Sequence, residues 1–302
     1  MNETPENPPE PAGSFVDAGI PTHRVKADIA ALTHKGSRAN NEDAYVVYRL
    51  GRFMDCVSSN VAVGTLPNHI EDTGHLLIVG DGLGGAKAGE VASSMALQSL
   101  VDAISKQPKW ALKFDDPATR DSEIDELITR SRAYLQHMHA AIRARQQQDP
   151  EYAGMGTTFT SAYTVGGDMF IMHVGDSRAY ELRNGRLFRI TRDHTVAQEY
   201  ANMGKLPQSE VDQHPMSHVL TRALGSPTAL IESDTHHRDI EDGTRLLLCS
   251  DGLTKVASEE DIARVLTENP VSADAARALV DLALERGAPD NVTVIVAAFA
   301  VK

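Results

Sequence analysis

Four apolar runs of four or five residues set the limits on how this chain can fold: Leu76-Leu77-Ile78-Val79, Phe170-Ile171-Met172-His173-Val174, Leu246-Leu247-Leu248-Cys249 and Val292-Thr293-Val294-Ile295-Val296. Runs this short suit strands covered on both faces. Residues 157–165 and 186–191 add two more strand candidates. Between them lie two helical patterns. One spans residues 89–106, with Val91, Met95 and Ala96 on one side; the other spans 121–147, where Ile124, Leu127, Ile128, Leu135, Met138 and Ile142 recur at three- and four-residue steps. Strands grouped around paired helices predict two packed sheets with helices outside.

The 41% hydrophobic content supports a core, and no linker interrupts residues 26–302, so one domain is expected there. Residues 1–25 are rich in Pro and Glu and read as a flexible tail, with neither the basic start nor the apolar stretch of a signal peptide. The segment 51–74 has no clean period and reads as an insertion or long loop. No apolar run approaches the ~18 residues of a membrane span. Cys56 and Cys249 lack metal-ligand partners at short spacing and read as free thiols, which favours a cytoplasmic setting. The net charge of -13 and the absence of a basic run argue against nucleic-acid binding. They suit a protein that uses carboxylates to hold cations.

Carboxylates fall where such a protein needs them. Asp81 and Asp251 each follow an apolar run after one small residue, Gly80 or Ser250, and precede glycine, Asp290 leads into Val292, and the acidic cluster Asn41-Glu42-Asp43 precedes another apolar stretch. Any one Asp-Gly pair is ordinarily a plain turn. Several at the ends of strands sharing a sheet edge repel one another, at roughly 4 kcal/mol for two charges 4 Å apart at an effective dielectric near 20. A fold that gathers them calls for a hard cation, Mg²⁺ or Mn²⁺ rather than Zn²⁺. Gly82 lets backbone approach an ion closely enough for its carbonyl to ligate. The glycines from Gly82 to Gly89 match neither GxxxxGK[ST] nor GxGxxG, so a phosphate-cradling loop is rejected.

These residues stand inside motifs that resemble the type 2C (PPM) protein phosphatases in their bacterial form. The motifs are Gly36-Ser37-Arg38-Ala39-Asn40-Asn41-Glu42-Asp43-Ala44, Asp81-Gly82-Leu83-Gly84-Gly85, Gly154-Met155-Gly156-Thr157-Thr158, Gly175-Asp176-Ser177-Arg178-Ala179, Leu220-Thr221-Arg222-Ala223-Leu224-Gly225, Ser250-Asp251-Gly252-Leu253 and Asp290-Asn291-Val292-Thr293. They occur in the family's order and cover about residues 30–300. The resemblance implies a four-layer α-β-β-α sandwich of two central antiparallel sheets. It also implies hydrolysis of phosphoserine and phosphothreonine in proteins by a metal-bridging hydroxide, with no phosphoenzyme. Asp81 would bridge two Mn²⁺ or Mg²⁺ ions and the Gly82 carbonyl would bind one of them. Asp251 and Asp290 would bind the other, with Asp43 acting through water and Glu42 and Asn291 behind. Asp176 would hold a third, weaker ion together with Asp251. Arg38 would grip the substrate phosphate, its fork matching phosphate oxygens. Phosphoprotein substrates of a Ser/Thr kinase and a monomeric state are expected.

Two positions depart from the family. Leu83 and Ala86 stand where members carry histidine, which leaves the leaving-group proton to a metal-bound water. Among the other histidines, His137 and His139 sit two apart on a helix and make poor co-ligands, and His236-His237 reads as a solvated loop. His194 begins the helix under the family's flap, residues 195–217. A scaffold without turnover has no need of every ligand, and a nuclease needs a basic groove.

Overall fold

The structure is a computed structural model that describes residues 25–62, 65–84, 88–106 and 118–301. The tail up to residue 24, together with Gly85 and Ala86, lies outside the described residues. In chain order the strands are β1 (Val25–His34), β2 (Ala44–Asp55), β3 (His69–Gly80), β4 (Gly82–Leu83), β5 (Gly156–Thr157), β6 (Phe159–Val165), β7 (Asp168–Val174), β8 (Arg178–Arg183), β9 (Arg186–Arg189), β10 (Asp234–Asp239), β11 (Arg245–Cys249) and β12 (Val292–Val301). The helices are α1 (Ala88–Ser105), α2 (Arg120–Gln148), α3 (Val196–Asn202), α4 (Asp251–Thr254), α5 (Glu259–Glu268) and α6 (Ser272–Glu285).

Ten strands form two five-stranded antiparallel sheets, ordered β1-β12-β11-β8-β9 and β10-β7-β6-β3-β2. Side chains alternate between faces along a strand, and that alternation explains why the short runs are apolar throughout. In β3, Leu77 and Val79 point to the other sheet and meet Leu246, Leu248, Ile295 and Ala297 in the central layer. Their neighbours Leu76 and Ile78 point outward and pack with Ala92, Leu97 and Leu100 of α1 and Leu135, Met138 and Ile142 of α2. The first sheet does the same with Leu247, Val294 and Val296, which pack on α5 and α6 through Ile262, Leu266, Leu279 and Ala283. Helices, sheet, sheet and helices make four layers, as the resemblance implies. Ser258 and Asp261 cap α5 reciprocally, the Ser258 hydroxyl accepting from the Asp261 N–H at 3.2 Å.

Two expectations need correction. The segment 51–74 is not one loop: β2 continues through Asp55 and β3 begins at His69, paired from Gly51 opposite Thr73 to Asp55 opposite His69, which confines the connection to residues 56–68. Phe53 and Met54 on this hairpin are 72% and 61% exposed. With neither face buried, nothing selects an alternating pattern. His236 and His237 are not in a loop but in β10, opposite Ile171 and Phe170. The His237 ring stacks on Phe170 at 4.6 Å and its Nε2 lies 2.6 Å from Asp168 Oδ1. A polar edge strand carries the composition of a loop. Among the described residues, no helix is long and apolar enough to cross a membrane.

Candidate metal centre

Antiparallel pairing carries the predicted carboxylates to one end of the sandwich. Ala44 lies opposite Gly80, so Asp43 and Asp81, one residue beyond each, come side by side. In the other sheet Cys249 pairs with both Val294 and Arg178, which draws Asp251, Asp290 and Asp176 to the same edge. Ser250 joins the two sheets there. Its Oγ accepts from the Thr293 N–H at 2.9 Å and donates to Asp43 Oδ2 at 2.7 Å. The Asp81 N–H donates to Thr158 Oγ1 and the Asp81 carbonyl accepts from the Thr158 N–H, each at 2.9 Å.

The backbone is as tightly placed as the side chains. The Gly82 N–H donates to the Glu42 carbonyl at 3.2 Å, and a Cβ at Gly82 would collide with the carbonyls of Gly89 and Glu42. Asn291 holds the loop between β1 and β2. Its Oδ1 accepts from the Glu42 N–H at 2.7 Å, and its Nδ2 donates to the carbonyls of Lys35 and Asn40 at 2.9 and 2.8 Å. Arg38, on that loop, donates to Asp290 Oδ2 at 2.9 Å and to the Pro289 carbonyl at 3.2 Å, and it is otherwise exposed. Asp43, Asp81, Asp176, Asp251, Asp290 and Arg38 are thus brought together, with Glu42 and Asn291 behind them.

Burial and mutual repulsion dominate the electrostatics. Burial first, then the neighbouring Asp43, Asp251, Asp176 and Asp290, hold the Asp81 carboxyl well above its ordinary range. Burial and Asp251 do the same to Asp176. Asp251 is raised by burial against the opposing pull of Lys255. Asp43 is pushed up to about 7, by burial above all. Asp290 is the exception. Burial pushes it up, but Lys255, the Asn291 N–H and Arg38 together hold it below the carboxylate range. Asp43 Oδ1 and Asp251 Oδ1 are buried with no hydrogen-bond partner among the described residues. Clustered, partly orphaned hard oxygens are what Mg²⁺ or Mn²⁺ requires, so the residues present fit such ions.

Sequence reasoning overlooked Lys255, whose ammonium lies 2.6 Å from Asp251 Oδ2 and 2.7 Å from Asp290 Oδ2. Its position four residues after Asp251 was the available signal. Thr158 and Ser250 stand in the motifs, but their spacing did not show that their hydroxyls hold Asp81 and Asp43. Leu83 pairs with Gly156 in the small β4–β5 ladder. His194 is buried. Its Nδ1 accepts from the Gly175 N–H at 3.1 Å, its own N–H donates to the Gly175 carbonyl at 2.7 Å, and Thr195 after it caps α3. His139 Nδ1 accepts from the Gly225 N–H at 3.2 Å, a packing role.

Two other features stand apart. Asp168, His237 and Asp239 could share an ion, but Asp168 begins β7, roughly 20 Å from the Val174 end that leads to Asp176. Arg120 already lies 2.5 Å from Asp168. An apolar cavity of about 90 Å³, lined by Leu100, Leu127, Phe159 and Phe170 among others, shares no residue with the carboxylates.

A four-layer sandwich whose two sheets end in converging aspartates defines a carboxylate-centred α+β protein of the metal-ion-holding kind. The sequence model of the family described as Protein phosphatase 2C matches residues 66–284, and the chain belongs to that family. It is 37% identical over 222 residues to the serine/threonine protein phosphatase PstP of Mycobacterium tuberculosis, covering 74% of this chain and 40% of that relative. The matched stretch thus spans less than half the length of PstP. The serine/threonine phosphatase stp of Listeria monocytogenes is 32% identical over 241 residues, 77% of this chain and 91% of that relative. Among solved structures, the catalytic domain of PstP in complex with two manganese ions aligns with a TM-score of 0.69 and 33% identity, covering 92% of this chain and 100% of that one. The Streptococcus agalactiae serine/threonine phosphatase aligns with a TM-score of 0.72 and 29% identity, covering 92% and 100%.

Proposed function

We propose that this chain is a metal-dependent phosphatase that hydrolyses phosphoserine and phosphothreonine in proteins, as a cytoplasmic monomer acting on the products of a Ser/Thr kinase. The observation that carries the reading is the meeting of Asp43, Asp81, Asp176, Asp251 and Asp290 at one edge, two of them with buried, partnerless oxygens. Asp81, Asp251, Asp290 and the Gly82 carbonyl would hold two Mn²⁺ or Mg²⁺ ions, Asp43 would act through water, and Asp176 with Asp251 would hold a third. Bound there, divalent ions supply an acidified water as nucleophile and neutralise charge on the transferred phosphoryl group.

The chain's own residues do the rest. Arg38 offers a guanidinium fork to the phosphate from an exposed loop, so it can reach a substrate on a protein surface. Asn291 fixes that loop through Glu42, Lys35 and Asn40. Ser250 orients Asp43 by donating to one of its oxygens, leaving the other for a water. The hydroxyl of Ser250 is committed twice over, and attack by water needs no protein nucleophile. Turnover of p-nitrophenyl phosphate and a phosphoserine peptide with Mn²⁺, with and without chelator, tests the reading. Chelator-resistant turnover, or none with Mn²⁺, overturns it.

A further inference from the structure

Asp290 is more fully engaged than any other carboxylate of the centre. Its Oδ1 accepts from the Asn291 N–H at 2.9 Å. Its Oδ2 accepts from Lys255 Nζ at 2.7 Å and from Arg38 Nη2 at 2.9 Å. A carboxylate oxygen offers about two lone-pair directions, so Oδ2 is full. Asp251 differs: Lys255 takes its Oδ2, while its Oδ1 is buried and accepts from no cationic side chain, with the Asp81 carboxyl beside it. A divalent ion can therefore approach Asp251 Oδ1 without dislodging a cation. To use Asp290 Oδ2 it has to dislodge an ammonium or a guanidinium.

We propose that Lys255 is a tethered counter-ion of this centre, an ammonium that neutralises Asp251 and Asp290 and that a divalent ion must displace, so that this one side chain sets the affinity for Mn²⁺ and Mg²⁺. The inference rests on the metal-centre reading above. Three observations favour Lys255 over Arg38 as the competitor. Its nitrogen lies within 2.7 Å of two of the aspartates read as ligands, whereas Arg38 reaches only Asp290. An ammonium is a compact point charge, closer to a metal ion than a planar guanidinium is. The Lys255 side chain is 34% exposed, so a displaced ammonium can reach water while its stem stays packed. The opposing possibility is that Lys255 stays in place and orients the two aspartates for the ion. In that case its loss weakens metal binding.

The test is a Mn²⁺ titration of the full chain by calorimetry, wild type against Lys255→Gln, with Asp81→Asn as control. Melting of each protein is followed in chelator and across a Mn²⁺ series. Lys255→Gln should bind Mn²⁺ about tenfold more tightly or better, the change that ~1.4 kcal/mol of removed competition produces. It should also melt about 2–4 °C lower in chelator, because the aspartates lose their counter-ion. If calorimetry is defeated by unfolding of the variant in chelator, the Mn²⁺ concentration that gives half of the melting-temperature rise still reports affinity, and it should fall. Equal or weaker Mn²⁺ binding by Lys255→Gln overturns the proposal while leaving the metal centre intact. A wild type and a Lys255→Gln protein that both bind Mn²⁺ no better than Asp81→Asn overturn the metal-centre reading and this inference with it.

Discussion

Asp81 sits among four other aspartates, and its replacement separates the cost of that crowding from its use. Asparagine keeps the shape and cannot ionise. Repulsion falls, so in chelator Asp81→Asn should melt at or above the wild-type temperature. With Mn²⁺ it should lose phosphatase turnover and most of the metal-induced rise in melting temperature, since Asp81 is the residue read as touching both ions. Wild-type turnover in this variant would refute the two-ion reading. Arg38 makes the opposite case. It is exposed and its contact is to a phosphate already charged in the ground state, so Arg38→Ala should raise KM for a phosphopeptide and leave kcat close to wild type. A lost charge-assisted contact of about 1.5–3 kcal/mol corresponds to roughly ten- to a hundredfold in KM. A collapse of kcat at constant KM would instead make Arg38 a group that acts only in the transition state.

At the scale of elements, the turn between β7 and β8 is held from two sides. Gly175 has φ +113° and a Cβ there would strike Thr158, so the turn is fixed from below. His194 fixes it from above through two hydrogen bonds to Gly175, and its Nε2 faces Asp234 Oδ2 and Arg222 Nη1, each at 3.3 Å. Burial, then Arg222, holds the imidazole below its ordinary range, so it is neutral and Nδ1 can accept. His194→Phe keeps the ring beside His173 but leaves the Gly175 N–H buried without a partner, at a cost of about 1–3 kcal/mol. The expected outcome is a lower melting temperature and a higher Mn²⁺ requirement for activity, the latter because Asp176 adjoins Gly175. His194→Asn, with an acceptor near the Nδ1 position, should restore much of both. Equal Mn²⁺ requirements in all three proteins would confine His194 to packing.

Elements buried on two faces were also the ones legible from sequence. The runs in β3, β7, β11 and β12 are apolar because both layers demand it, and α2 shows its face through Ile124 to Ile142. The aspartates were legible because each follows or precedes such a run. What failed has a common cause. β10 (DTHHRD) lies at an edge, the outer end of the β2–β3 hairpin is exposed on both faces, and the contacts of Lys255 with Asp290 and of His194 with Gly175 are long-range meetings that local spacing does not encode.

For the whole molecule, the two sheets are held apart by an apolar layer and stitched at one end by a bond between Ser250 and Asp43, so the carboxylates cannot relax by drifting apart. Their repulsion therefore appears as a dependence of stability on pH. The folded Asp43 titrates at about 7, and Asp81, Asp176 and Asp251 are also raised, whereas in the unfolded chain aspartates titrate near ~3.9. Between those limits the folded protein binds more protons than the unfolded chain, so stability from this end is full below the unfolded value and is lost as pH rises toward 7. Asp290, held low, stays ionised throughout and adds nothing of that sign. Mn²⁺ requires the ionised carboxylates and so competes with those protons, binding more tightly as pH rises. The difference in melting temperature between Mn²⁺ and chelator cancels every group far from the centre. It should be small at pH 5 and widen as pH rises through 7. The overall charge of -13 shifts Mn²⁺ affinity through salt-dependent attraction, so the series belongs at fixed ionic strength. A difference that is constant from pH 5 to 8 would mean that the aspartates are already ionised at the lower end, and the crowding described here would not exist.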